Sequence, residues 1–442
     1  MTYPPDRRSL RPVVEGLALF RDILDDQIGR AARTLVEEPN NAPAARLLAL
    51  LTEEAELYPE ELVGDAWQNH LLDRLLTAEN AFSKKAERAS FDEMGPGLQA
   101  EARRELAILQ HLYRDGGNVL AKEAYGALGE VSRRDWNGLK ALGSGPPLHA
   151  PEAIALKQAF AASTDWPSLA QQLAETYATA GVGNFARFRA FRWVHGRDDG
   201  HHEGVAYPDP IRLSDLIGYE HEREPAVRNA ERFVAGLPSN NVLLYGERGT
   251  GKSSTVKALL NELGDRGLRL IEVAKEHLDD FPEILAPLRH RRQRFLLYVD
   301  DLSFEEQETY YKALKAVLEG GVEARPENVV LYATSNRRHI IRERFSDRTA
   351  AAVADDDDVH AMDTMEEKLS LSDRFGIRIR FGAPDQERFL EIVRGLAQRR
   401  DVSLLDAELT ERALAWVQRQ NGRSGRTARQ FIDALIGELA MP

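Results

Sequence analysis

The stretch LLYGERGTGKSST, Leu243 to Thr255, places three glycines and a lysine between an apolar run and the start of a helical pattern. Glycine inside a regular element costs roughly 0.5–1 kcal/mol relative to alanine, so such a cluster marks a backbone that must take φ values other residues resist. Gly246, Gly251, Lys252 and Ser253 satisfy the spacing G-x-x-x-x-G-K-[ST], after an apparent strand and at the opening of a helix. That context predicts a loop that wraps phosphate. The bare backbone amides of Gly246, Glu247, Arg248, Gly249, Thr250, Gly251 and Ser254, with the helix N-terminus behind them, are expected to face the phosphates. Lys252 is expected to supply a point charge to the β and γ oxygens, and Ser253 to ligate Mg²⁺. The expected ligand is ATP or GTP with magnesium.

A magnesium site also needs a carboxylate at the end of a neighbouring strand. RFLLYVDDLSFEE offers Asp300 and Asp301 directly after an apolar run. Asp300 is the expected Walker-B ligand, reaching the metal through water. Asp301 stands where many ATPases of this kind carry a glutamate that polarises the attacking water; its carboxylate is one methylene shorter. Glu305 and Glu306 either approach the same site or begin a solvated helix.

The rest of the chain fits around this loop. NVLLY, LRLIEV, FLLYV, VVLYATS and IRIRF read as strands, and helical segments separate the first four, which predicts a parallel sheet covered on both faces. From Arg11 to about Val194 apolar residues recur at three- and four-residue steps, the mark of a helical bundle or array. HGRDDGHHEGVAYPDP, His195 to Pro210, lacks that periodicity and reads as a linker. Its histidines, His195, His201 and His202, have no HxxxH-type spacing to support them as metal ligands. The expected organisation is a helical N-terminal domain over 1–194, a linker over 195–210, an α/β nucleotide-binding core over 211–382 and a helical lid over 383–442. A chain of 442 residues is too long for one ordinary core, which agrees with this division.

Composition narrows the function classes. The chain has no cysteine, so disulfide frameworks, thiolate nucleophiles and zinc–thiolate sites are excluded. No stretch approaches the roughly 18 apolar residues of a membrane span, and the first residues show no apolar secretion signal, so a cytoplasmic location is expected. A formal charge of −13 argues against indiscriminate adhesion to DNA or anionic lipid. GNFARFRAFRW, Gly183 to Trp193, interleaves aromatics with arginines as a single-strand binder would. Its phenylalanines recur every three residues, however, and the stretch reads as a buried helical stripe. The acids Asp355 to Asp358 read as a solvated loop.

The order of Walker A, Walker B, YATSN closing a fourth strand, LSLSDRFG before a fifth and GRSGRTARQF in a terminal helical segment resembles the AAA+ ATPases from about Ile211 onward. The resemblance implies an AAA+ P-loop sheet with a C-terminal helical lid, here behind an all-α domain. It also implies that Asn336 orients the lytic water and that Arg374 reaches the γ-phosphate bound by an adjacent subunit. Arg426 then takes the sensor position of the lid, and Ile217 and Gly218 border adenine. More narrowly, NNVLLYGERGTGKSS, DDLSFEE, ATSNRRH and EEKLSLSDRFG are similar to a bacterial AAA+ family catalogued as a domain of unknown function, expected to cover most of the chain. The family likeness implies a homo-oligomer that uses ATP to remodel or assemble a macromolecular partner, with a slow nucleotide switch and a DNA-directed loader as alternatives. Glu272 to Leu285 lacks the aromatic–hydrophobic–Gly triplet of protein-threading relatives, which argues against a processive unfoldase.

Overall fold

The computed structural model describes residues 15–57, 63–130, 135–136, 151–196, 200–303, 314, 326–336, 374–420 and 422–440, and the chain divides into two compact units.

The first unit, Met1–Phe188 with His290–Arg292, is helical. Its longer helices are Gln27–Glu37, Asn41–Leu57, Ala66–Leu76, Pro96–His111, Gly117–Ala127, Pro151–Ala162 and Ala170–Ala180. Local sequence sets several of their starts. Asp65 accepts from the amide of Gln68 while the Gln68 side chain accepts from the amide of Asp65, a reciprocal cap for Ala66–Leu76. Large aromatics sit among the aliphatic core residues: Trp67, Phe82, Phe160, Trp166 and Tyr177 are fully buried. Phe82 meets Phe20, Phe91 and Tyr177 edge-on at 6.5, 6.2 and 6.1 Å, contacts worth about 0.5–1.5 kcal/mol each beyond their buried area. The buried Glu105 carboxylate is satisfied by the amides of Ala18, Leu19 and Phe20 at 2.6, 2.9 and 2.9 Å.

A buried histidine makes this unit sensitive to pH. His70 lies between Glu54, 2.9 Å from Nδ1, and Asp26, 3.1 Å from Nε2. Burial alone would lower its pKa, but the two carboxylates outweigh that and raise it to about 9. A pKa raised on folding stabilises the native state fully below the unfolded value, roughly 6.5, and the contribution is lost as pH rises through about 9. Urea unfolding of the full chain is therefore expected to show up to about 3 kcal/mol less stability in the helical unit at pH 9.5 than at pH 6.5, after subtraction of the His70→Gln profile. Identical pH profiles for parent and variant would contradict the assignment.

The second unit, Arg189–Arg289 and Gln293–Pro442, is built on a seven-stranded sheet. Its strands are β1 (Ala190–Val194), β2 (His201–Val205), β3 (Val242–Gly246), β4 (Leu268–Glu272), β5 (Arg294–Val299), β6 (Val329–Ser335) and β7 (Ile377–Phe381), in the order β2-β1-β4-β5-β6-β3-β7. All neighbours are parallel except β1 and β2. β6 lies between β3 and β5, with Leu243 opposite Ala333 and Leu297 opposite Leu331. β3, β5 and β6 bury nearly every residue, as strands covered on both faces must. The helices Gln386–Arg399, Asp406–Gln418 and Gly425–Ala440 follow β7. The second unit is therefore an α/β fold: a mostly parallel sheet with helices after its last strand, as the sequence predicts.

The expected boundaries shift here: β1 ends the region read as helical to 194, β2 lies within the stretch 195–210 read as a linker, and the antiparallel pair of β1 and β2 makes the mostly parallel sheet mixed. The three-residue recurrence of phenylalanine imitates a helix, yet only Phe185 lies on one, Asn184–Arg187. From Ala190 the period is two, with Phe191 and Trp193 buried around an exposed Arg192. β2 escapes notice because HHEGV is polar. An edge strand has only one neighbour and tolerates such a sequence.

Candidate nucleotide site

The parallel strands converge on a cleft of about 630 Å³ beyond their carboxyl ends, the side of an open α/β sheet on which ligands bind. The loop after β3 forms its floor. Gly246 sits at φ 131°, and a Cβ there would stand 2.0 Å from the carbonyl oxygen of Phe381 on β7, so only glycine lets β3 end this close to its neighbour. Gly249, at φ 72°, passes under the lid, where its carbonyl accepts from the amide of Arg426 at 3.2 Å. Gly251 caps the helix Lys252–Leu263 in the left-handed region.

Lys252 is buried, and its Nζ donates to the carbonyls of Gly246 and Glu247 at 3.0 and 2.6 Å. Burial lowers its pKa, while Asp301, Asp300 and Glu247 oppose the shift. A desolvated ammonium held this way is a strong anion ligand. Ser253 Oγ donates to Asp300 Oδ1 at 2.8 Å. Thr334 Oγ1 donates to the same oxygen. Burial raises the Asp300 pKa, but bonds that include those of Thr334 and Ser253 and the Asp301 amide more than offset it, so the carboxylate stays ionised. An alcohol beside an ionised carboxylate, at the start of a glycine loop, is the hard oxygen set that Mg²⁺ prefers.

Asp301 adopts φ 48°, unusual for a residue other than glycine. Its amide donates to Thr334 Oγ1 at 3.0 Å, and its Oδ1 accepts from Asn336 Nδ2 at 2.6 Å. Two strand ends thus hold the carboxylate at the cleft wall. Backbone strain of this kind gathers at functional sites.

The structure brings Arg248, Gly249, Thr250, Gly251, Lys252, Ser253, Ser254, Asp300, Asp301, Asn336, Ile217 and Arg426 to this cleft. Gly246 and Glu247 contribute through their carbonyls, and Gly218, at φ 88°, connects the wall residues Ile217 and Tyr219. Arg374 lies just before β7 and does not line the cleft of its own chain. Glu305, Glu306 and Asp355 to Asp358 lie outside the described residues.

Several wall residues were missed from sequence. Thr334 stands two before Asn336, and side chains alternate along a strand, so its presence on the same face was available from the period. Arg429 follows Arg426 by one helical step of three and shares its face. Arg223 left no local signal. It reaches the cleft because its Nη1 donates to the Leu216 carbonyl at 2.7 Å. Of the three histidines weighed as metal ligands, His202 packs edge-on against Trp193 and His201 lies opposite Val194 in the sheet; only His195 enters a cluster of possible metal ligands.

No curated protein matches the sequence. Among solved structures, the Holliday junction branch migration motor RuvB of Thermotoga maritima is 16% identical, with a TM-score of 0.32, over 51% of this chain and 72% of that one. A point variant of RuvB is 17% identical with a TM-score of 0.32 over the same shares. Scores this low support no inference about this chain's activity. A family model described as "Protein of unknown function (DUF815)" matches residues 186–439, which takes in β1, β2, the cleft and the C-terminal helices, and leaves out nearly all of the helical unit. The match covers more than half of the chain, and the protein belongs to the DUF815 family.

Proposed function

We propose that the protein is a magnesium-dependent ATPase that uses nucleotide turnover to remodel or assemble a macromolecular partner, working as a homo-oligomer. The observation that carries the reading is the convergence of Ser253, Asp300, Asp301, Thr334 and Asn336 at the mouth of the glycine loop. Phosphoryl transfer asks little covalent chemistry of a protein, so positioning and charge do most of the catalysis. Lys252 neutralises charge on the phosphates, Ser253 and Asp300 hold the cation, and Asp301 orients the attacking water while Asn336 fixes the Asp301 carboxylate. Bound Mg²⁺ would spread the charge that develops on the transferred group. Arg426, on the helix whose amide bonds the Gly249 carbonyl, links nucleotide state to lid position.

Asp301→Asn is expected to leave ATP affinity within about twofold and to lower turnover by roughly 10²-fold or more, measured by equilibrium binding and steady-state phosphate release. Unchanged turnover would remove Asp301 from the water-positioning role. A second reading, a slow nucleotide switch, draws support from the same bond: Asn336 already occupies one oxygen of a shortened carboxylate. It predicts negligible phosphate release by the parent with or without partners. Three of the four aromatics in the stretch that suggested a DNA loader, Phe185, Phe191 and Trp193, are buried, which weighs against base stacking there.

A further inference from the structure

We propose that His195, His277 and Asp280 form a binding site for one first-row divalent metal ion, and that Zn²⁺ suits the set best. The ligands come from two loops that leave adjacent parallel strands at the same level. His195 directly follows β1, and His277 and Asp280 lie in the turns Lys275–Asp280 after β4, where Arg192 is opposite Glu272. His195 Nδ1 is 2.8 Å and His277 Nδ1 3.9 Å from the same oxygen, Asp280 Oδ2. One donor atom from each of the three lies within 4.8 Å of the others. Tetrahedral zinc with bonds of about 2.0–2.1 Å separates its donors by about 3.3 Å, so side-chain movements of about 1.5 Å or less complete the geometry.

The surroundings fit a ligand set better than a simple ion pair. The two imidazoles stack 5.2 Å apart at 4° and turn toward one carboxylate. A single divalent cation would take one nitrogen from each ring and the carboxylate oxygen as three donors. Trp193 Nε1 donates to Asp280 Oδ2 at 2.8 Å, an outer bond of the kind that orients a ligating carboxylate. The His195 side chain is 57% exposed and that of His277 33%, so an ion has access and water can fill the remaining positions. None of the three lines the nucleotide cleft, and the proposal does not depend on ATP turnover.

The test is equilibrium dialysis of untagged, chelator-treated full chain against Zn²⁺ in excess Mg²⁺, with metal quantified per chain. One Zn²⁺ is expected to bind with a dissociation constant on the order of 1 μM or tighter. His195→Gln and His277→Gln should each weaken it at least about 100-fold, and Trp193→Phe by about 10-fold or more, while Asp300→Asn leaves it unchanged. Absence of a stoichiometric site, or affinity retained in both histidine variants, would overturn the proposal and leave a metal-free hydrogen-bonded cluster. Circular dichroism identifies any variant that fails to fold; should His277→Gln do so, the exposed His195→Gln decides the question.

Discussion

Replacing Lys252 with alanine is expected to weaken ATP binding by about 100-fold or more, which corresponds to roughly 3 kcal/mol. Bonds to a charged group are worth about 1.5–3 kcal/mol each, and Lys252 is expected to make more than one to the β and γ phosphates. Other cations reach the cleft, but Arg248, Arg426 and Arg429 are exposed and their charge is screened by water, and Arg223 is engaged by the Leu216 carbonyl and Glu220, whereas Lys252 is buried at the glycine loop. It also has a ready position without phosphate, on the carbonyls of Gly246 and Glu247, so binding requires only that Nζ exchange one set of oxygens for another. Titration calorimetry with ATP and Mg²⁺ measures the loss. Thermal unfolding without nucleotide shows whether the loop itself has been damaged. Micromolar affinity retained by a folded Lys252→Ala protein would contradict the phosphate assignment.

Arg374→Ala is expected to bind ATP nearly as the parent does and to lose turnover by roughly 10³-fold, the scale of an arginine finger. The residue stands just before β7 and outside the cleft of its own chain, so a role on the γ-phosphate must be played in a neighbouring subunit. That requirement makes the prediction specific. Mixing Arg374→Ala with Lys252→Ala should restore part of the activity, because an intact Lys252 site then meets an intact Arg374. Specific activity of the parent should also rise with protein concentration through the range in which subunits associate. Concentration-independent turnover by a monomer, with no recovery on mixing, would refute the intersubunit model and favour the switch.

The parts of this protein legible in sequence are those specified by contiguous residues. The glycine loop declares itself because Gly246, Gly249 and Gly251 all have positive φ within a few residues, and only that composition supports it. β3, β5 and β6 are legible because burial on both faces demands unbroken apolar runs. Asp300 and Asn336 follow, each at or just beyond the carboxyl end of such a run. The tertiary structure decided what depends on neighbours distant in the chain. β1 is a strand because β4 offers it a parallel edge, although its aromatic spacing continues a helical rhythm. β2, largely polar, exists only as the antiparallel partner of β1. The contact between Asp301 and Asn336 spans 35 residues, and the order of β5 and β6 sets it. His195 meets His277 and Asp280 across more than 80 positions because β1 and β4 end at one level. Local conformational preference reaches only a few residues along a chain; pairing between strands and side-chain clusters are fixed by the packing of the whole sheet, which no short window contains.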